Sequence, residues 1–384
     1  LTIGLFPDTL KKICKTGAVD MGEVEKWIAL TNVPNLGPRR IAKVYRELGN
    51  IDSFFSGNSS LLSNVLNLKT EIIDGMLRAV DLKYGISGLK ECRRLGIRVI
   101  CPQSAEYPPL LLDCHDPPPV LYYLGSLPRQ DLLGVVGSRK ATRYGRWAAG
   151  ALIPPLCQAG FGIASGLALG IDASAHKACL QVKGYTIAVL GNGVDQFYPY
   201  DNKGLQKEIL AAGGCLLSEF SPGTKPRPDH FPRRNRILSG LCRGVLVIEA
   251  GMKSGAMITV GFALEQGRDV FCVPGNIDSP QSVGTNNLVR LGAKPVLSAG
   301  DILEEYHLDL PIHVHSHSDP SLDKEERAIL NLIDQQGVGL DDLCYQLELP
   351  GGVVLARLAA LELRGLIERL PGQKYIRASG GASL

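Results

Sequence analysis

The sequence predicts an α/β protein built on a mostly parallel sheet, flanked by an N-terminal helical domain and a C-terminal winged helix. Three observations carry this. Between residues 131 and 304, apolar runs alternate with Gly-rich turns and helical stretches. Runs that are apolar throughout, and not only at every second position, belong to strands covered on both faces, as in parallel sheets. Residues 24–95 repeat apolar positions at helical spacing, and residues 324–377 read as helix, short helix, helix and a strand pair.

At 384 residues the chain is long for one domain, since about 150 residues each is the ordinary size, and 45% hydrophobic content permits a full core. The helical domain occupies 1–100, with Trp27 and Leu30, then Ile41, Val44, Tyr45 and Leu48, on its buried faces. Within it, Val33-Pro34-Asn35-Leu36-Gly37-Pro38-Arg39-Arg40 sets a Gly between two helices. A helix-hairpin-helix offers such turn amides to a phosphate backbone, which makes Gly37, Arg39 and Arg40 a candidate second DNA contact. Gly37 and Pro38 suit an ordinary helix stop and start equally well.

Pro108, Pro109, Pro117, Pro118 and Pro119 keep residues 101–128 out of a long helix and lead the chain in extended form into the α/β domain, 101–305. Its strands are expected at 132–136, 161–164, 186–190, 215–218, 245–248 and 270–273. A polar linker, 306–322, follows. It carries His307, His313, His315 and His317, but a metal site needs anchored partners, and a flexible Ser- and Pro-containing linker accounts for the composition. The winged helix, 323–377, is slightly acidic; its second helix carries Arg357 and Arg364 beside Glu362, which favours a protein partner over reading of DNA sequence. A short tail, 378–384, ends the chain.

Formal net charge is only +3, so any affinity for nucleic acid must come from local concentration of Arg and Lys. The ten Cys include no pair at the spacing of a zinc knuckle or redox motif and read as small buried hydrophobes in a reducing compartment. No apolar run approaches 18 residues, and the first twelve residues lack the layout of a secretory signal, so no membrane insertion and a cytoplasmic location are expected.

Ligands of an open parallel sheet bind beyond the carboxyl ends of its strands, so those loops are where chemistry is sought. They hold Gly137, Ser138 and Arg139; Ser165 and Gly166, running on to Asp172; and Lys253, Ser254 and Gly255. Ahead of the strand at 245–248 stands Asp229-His230-Phe231-Pro232-Arg233-Arg234-Asn235-Arg236, a basic run at a helix start. Gly admits close backbone approach, hydroxyls and helix-terminal amides donate, and guanidinium forks match phosphate oxygens, so the loops together read as an anion nest. Arg233, Arg234 and Arg236 cannot share one helix face. At least one is expected to be a structural ion-pair partner, with Asn235 fixing the loop.

Other chemistries fit less well. The turn Gly134-Val135-Val136-Gly137-Ser138-Arg139 lacks the third Gly of a dinucleotide fingerprint, and Lys253-Ser254-Gly255 lacks P-loop spacing. Asp172, His176, Asp195 and Glu249 are the candidates for acid–base work. His176 lies one turn after Asp172, within hydrogen-bonding reach on one helix face, although an Asp capping a helix start needs no catalytic role. No catalytic residue, metal or cofactor is assigned.

Taken together, Gly137-Ser138-Arg139, Ser165-Gly166-Leu167-Ala168-Leu169-Gly170-Ile171-Asp172 with Ala175-His176, Thr186 to Gly191, Phe231-Pro232-Arg233-Arg234-Asn235-Arg236-Ile237 and Ser254-Gly255 resemble the DNA processing protein A (DprA/Smf) family. The likeness spans the α/β domain and reaches upstream through Tyr107-Pro108 and Asp116-Pro117-Pro118. Ala256-Met257 departs from the small residue followed by Leu usual after the Ser-Gly, and Val260 from the usual Ala. The resemblance implies an extended Rossmann-like fold and a dimer that binds single-stranded DNA without sequence preference. It further implies protection of incoming DNA and loading of a RecA-type recombinase in natural transformation, without turnover. It places the phosphate pocket at Gly137, Ser138, Arg139, Ser165 and Gly166 with Arg233 to Arg236 nearby; Lys225 and Arg227 are candidates for further backbone contacts, and Phe231 for base stacking. A related group of nucleoside monophosphate hydrolases shares such a pocket, but its Pro-Gly-Gly-x-Gly-Thr run ending in Glu is replaced here by Gly251-Met252-Lys253-Ser254-Gly255-Ala256. A scaffold whose winged helix binds a partner, with DNA incidental, is the third reading.

Overall fold

The computed structural model describes residues 21–308, 322–333, 337–370 and 372–377. The first twenty residues with Cys14, the linker residues His313, His315 and His317, and the tail 378–384 lie outside the described residues.

Nine strands form one sheet in the order β1-β2-β6-β5-β4-β3-β7-β8-β9. They are β1 (Arg98–Ile100), β2 (Leu121–Gly125), β3 (Leu132–Val136), β4 (Gly162–Ser165), β5 (Thr186–Val189), β6 (Cys215–Ser218), β7 (Gly244–Val247), β8 (Asp269–Cys272) and β9 (Lys294–Pro295). From β6 to β9 all neighbours run parallel, while β2 joins β6 antiparallel and β1 joins β2 antiparallel. The six expected strands are present within one or two residues of their expected bounds. β1, β2 and β9 are additions: β2 lies inside the Pro-rich stretch, where Leu121 to Leu124 follow Pro119 and pair freely.

Continuous apolar runs here mean burial on both faces. In β3, Leu132 and Val136 pack with the helices His230–Gly240 and Gly255–Glu265, while Leu133 and Val135 pack with Arg143–Gln158, Ile171–Gln181 and Ala299–Glu305. The N-terminal helices share a core with the sheet as well, since Trp27, Ile41 and Cys92 cluster with Tyr122, Ala188, Leu190 and Leu216. Residues 322–377 build a separate core around Ile329, Leu343, Val354, Leu358 and Tyr375, with the three helices Lys324–Leu332, Leu340–Leu347 and Gly351–Leu363 and a small sheet of β10 (Val338–Gly339), β11 (Ile367–Leu370) and β12 (Lys374–Arg377). Among the described residues no helix is long and apolar enough to cross a membrane.

From β3 the chain steps outward through β4, β5 and β6, then returns to the other side of β3 for β7 and β8. The order therefore reverses beside β3, and the crevice at the carboxyl ends of β3 and β7 is where such a sheet takes its ligand.

Candidate phosphate-binding cavity

A cavity of about 740 Å³ occupies that crevice. Its main walls are the loop after β3, the loop after β4, the helix His230–Gly240 and the loop after β7, with Tyr198 from the loop after β5 at the rim.

The first loop is pinned by its backbone so that its cations face outward. A methyl group on Gly137 would meet the Ile171 side chain at 2.6 Å and the Glu249 carbonyl oxygen at 2.9 Å, so no larger residue fits there. The Ser138 amide donates to the Glu249 carbonyl at 2.7 Å, and the buried Ser138 hydroxyl accepts from the Lys140 amide at 3.1 Å. Arg139 and Lys140 are left exposed on the cavity, and the Arg139 guanidinium lies 5.7 Å from the centre of the Phe231 ring. Glu249 braces this arrangement: its carboxylate accepts from the Thr142 amide at 2.9 Å and from the Thr142 hydroxyl, and Thr142 in turn caps the helix Arg143–Gln158. That is a structural post, not acid–base chemistry.

The helix His230–Gly240 divides its side chains by period. Phe231, Arg234, Asn235 and Leu238 stand three and four residues apart and line the cavity. Arg234 is buried; it donates to the Gly166 carbonyl at 2.6 Å and to the Val189 carbonyl, and its Nε donates to Asn235 Oδ1 at 3.2 Å. Burial, opposed by Asp172 and aided by Arg139, lowers its pKa to about 10, so it remains a cation at neutral pH. Gly166 is Gly because a methyl there would lie 2.7 Å from the Arg234 guanidinium carbon. Asn235 also reaches the Gly255 carbonyl at 3.5 Å, tying this helix to the next wall as expected.

Arg233 and Arg236 leave by the other side. Arg236 is buried and pairs with the equally buried Glu219 at 2.6 Å, while its second nitrogen donates to the Asp116 carbonyl. This corrects its assignment to the phosphate pocket: it is the structural ion-pair partner of the run. Arg233, half exposed, lies 3.5 Å from Glu219 and over the Phe220 ring. It borders a second cavity, of about 540 Å³, whose far wall is the hairpin turn at Gly37. The structure thus brings Gly37 next to Arg233. Arg39 instead pairs with Asp116 at 3.5 Å, and Arg40 donates to the Asn35 carbonyl.

Ser165 is another correction. Its hydroxyl is fully buried and donates to the Val135 carbonyl at 2.7 Å, cross-linking β4 to β3 below the cavity floor. Nor do Asp172 and His176 form a pair. The Asp172 carboxylate accepts from the amides of Gly166 at 3.1 Å and Ala168 at 3.3 Å, folding the loop over itself; burial raises its pKa, with Arg234 opposing. His176 turns inward, its Nδ1 2.7 Å from the Thr186 hydroxyl, which itself donates to the Ile163 carbonyl at 2.8 Å. The ring must therefore donate from Nδ1. Burial, aided by Arg234, lowers its pKa to about 3, so it is neutral.

The last wall is the start of the helix Gly255–Glu265, where Ser254 caps the Ala256 amide at 3.3 Å and Lys253 is exposed on the cavity. Lys225 and Arg227 are exposed but do not line the cavity, and Arg227 is held by Asp229 at 3.1 Å. Tyr198 and Lys140, not assigned from sequence, do line it. Asp172, already occupied by two amides, is the only carboxylate in the lining among the described residues.

An open parallel sheet with a basic cavity at its reversal point, an adjoining helical layer and a winged helix define a Rossmann-like protein of several parts. The chain belongs to the DNA recombination-mediator protein A family, whose model matches residues 98–307, and a DprA winged helix domain matches residues 315–373. Protein Smf of Synechocystis sp. is 33% identical over 91% of this chain and 98% of its own length, and DNA processing protein DprA of Bacillus subtilis is 44% identical over 56% of this chain and 72% of its own. The X-ray structure of DNA processing protein A from Streptococcus pneumoniae superposes with a TM-score of 0.63 at 34% identity, covering 75% of this chain and 98% of that one. The family is one of DNA processing.

Proposed function

We propose that this chain binds single-stranded DNA by its phosphate backbone, without sequence preference and without turnover, and hands it to a RecA-type recombinase. The observation that carries this is the cation set of the cavity. Arg139, Lys140 and Lys253 are exposed on it with no carboxylate partner among the described residues, and Arg234 lies buried beneath. An unpaired cation releases no ion pair when it takes a phosphate. The rings of Phe231 and Tyr198, 5.6 Å apart at the rim, suit bases that are already unstacked, which favours a single strand over a duplex. Binding without turnover fits a lining whose one carboxylate is held by amides and whose neighbour Glu249 is a brace.

The wider role follows the family: a cytoplasmic protein that protects incoming DNA in natural transformation and works as a homodimer. Gly37 and Arg233, on one second cavity, offer the strand a further contact. In the winged helix, Arg357 and Arg364 are held by Asp323, Glu325 and Glu326, while Tyr345 and Leu363 are exposed, which suits a protein partner better than DNA.

Competition between labelled oligo-dT and a duplex of equal length tests the reading. The single strand should bind at least tenfold more tightly. Equal affinity for the duplex, or undiminished affinity in Arg139→Ala, would remove the cavity as the principal site.

A further inference from the structure

At the rim and just beyond it, the loop between β5 and the helix Lys203–Ala211 exposes three aromatic rings close together in the chain. Phe197, Tyr198 and Tyr200 are 44%, 40% and 73% exposed. Single exposed apolar residues are ordinary, but a contiguous exposed aromatic patch marks a contact surface. The Lys203 ammonium lies 4.8 Å from the centre of the Phe197 ring and 5.3 Å from that of Tyr200, and among the described residues it pairs with no carboxylate. Two rings and an unneutralised cation therefore stand together at the surface.

This patch is continuous with the cavity and firmly anchored. Tyr198, between Phe197 and Tyr200 in the chain, lines the cavity and approaches Phe231. Asn202 donates to the carbonyls of Leu167 at 2.9 Å and Ala168 at 3.2 Å, binding the loop to the cavity wall after β4. Asn192 donates to the Gln196 carbonyl at 3.0 Å, and Asp195 accepts from the Gly223 amide at 3.0 Å, fixing the other end. Such a loop holds its rings in place before any ligand arrives, so little ordering cost falls on binding.

We infer that Phe197, Tyr200 and Lys203 form a base-stacking platform for single-stranded DNA leaving the phosphate cavity past Tyr198. The inference rests on the single-strand reading above and extends it. Stacking accepts any base, because every base has a π face, and the ammonium between the rings attracts the backbone that links successive bases. The strand then has a defined exit: phosphates held at Arg139, bases laid on Tyr198 and beyond.

The test measures affinity by fluorescence anisotropy for long oligo-dT, a short oligo-dT that fills only the cavity, and a long oligomer abasic over its distal half. Tyr200 is mostly exposed, so Tyr200→Ala should fold normally. It should weaken the long oligo-dT about tenfold, leave the short and half-abasic ligands unchanged, and leave the salt slope unchanged; Tyr200→Phe should bind as wild type. Long oligo-dT bound equally by wild type, Tyr200→Ala and Phe197→Ala, while Arg139→Ala is weakened, would overturn the platform and leave the cavity reading standing. Failure of wild type to bind any single strand would overturn both.

Discussion

The α/β cavity and the winged helix both display arginine, and they use it in opposite ways. At the cavity, Arg139 is exposed and leans on Phe231, and among the described residues it forms no ion pair. In the winged helix, Arg357 is held by Asp323 at 2.9 Å and Glu325 at 3.0 Å, and Arg364 by Glu326 at 3.2 Å. The same division runs within one helix of the α/β unit, His230–Gly240, where Arg234 faces the cavity and Arg236 is consumed by Glu219. Counting positive residues therefore says little about anion binding; what matters is which of them lack a partner.

The largest effect expected from breaking this division is in Arg236→Ala. It leaves the buried Glu219 carboxylate, one oxygen of which already has no partner, with only the half-exposed Arg233 at 3.5 Å, and should cost about 3 kcal/mol in urea denaturation. The salt slope of DNA binding by the folded fraction should not change. A stability loss under about 1 kcal/mol would make Arg236 a ligand-facing residue after all.

Next comes acid. His176 has a folded pKa of about 3 against an ordinary 6.5, so the unfolded chain takes up the proton first. Its contribution is complete above pH 6.5 and is lost as pH falls towards 3, at up to about 1.4 kcal/mol per pH unit, or about 2 kcal/mol by pH 5. His176→Gln should flatten that dependence. The winged helix contains no His between 323 and 377, so its unfolding, followed separately, should lack this phase.

Smaller still, Arg139→Ala should weaken oligo-dT about tenfold, about 1.4 kcal/mol, while shifting stability by less than about 0.5 kcal/mol, because its side chain is exposed. Smallest of all, Arg357→Ala removes surface pairs and should cost under about 1 kcal/mol of stability, with no change in DNA affinity.

Much of this was legible in the sequence, and what was not has a physical cause. β3 to β8 announce themselves as runs with apolar residues at successive positions, because both faces are covered. β1 is three residues long and β9 two, too short to carry a period, and β2 hides behind Pro117 to Pro119. Gly137, Arg139, Lys253 and Ser254 line the cavity because loops after parallel strands converge, and Arg234 joins them from the helix His230–Gly240. The fate of Ser165 and Arg236 was hidden, because it depends on partners, Val135 and Glu219, set by the fold and not by neighbours in sequence. The helical period alone separates Arg234 with Phe231, Asn235 and Leu238 from Arg233 and Arg236, and could have made that distinction. His176 pointed away from Asp172 for a related reason: β5 offers Thr186 to the ring, and the amides of Gly166 and Ala168 reach Asp172 first.

The most direct test of the central claim is the salt dependence of oligo-dT affinity for wild type, Arg139→Ala and Arg357→Ala. If unpaired cavity cations hold the phosphates, the slope of log affinity against log salt should shrink by about 0.7 in Arg139→Ala and stay at the wild-type value in Arg357→Ala. An unchanged slope in Arg139→Ala together with a reduced one in Arg357→Ala would place the strand on the winged helix and contradict the account.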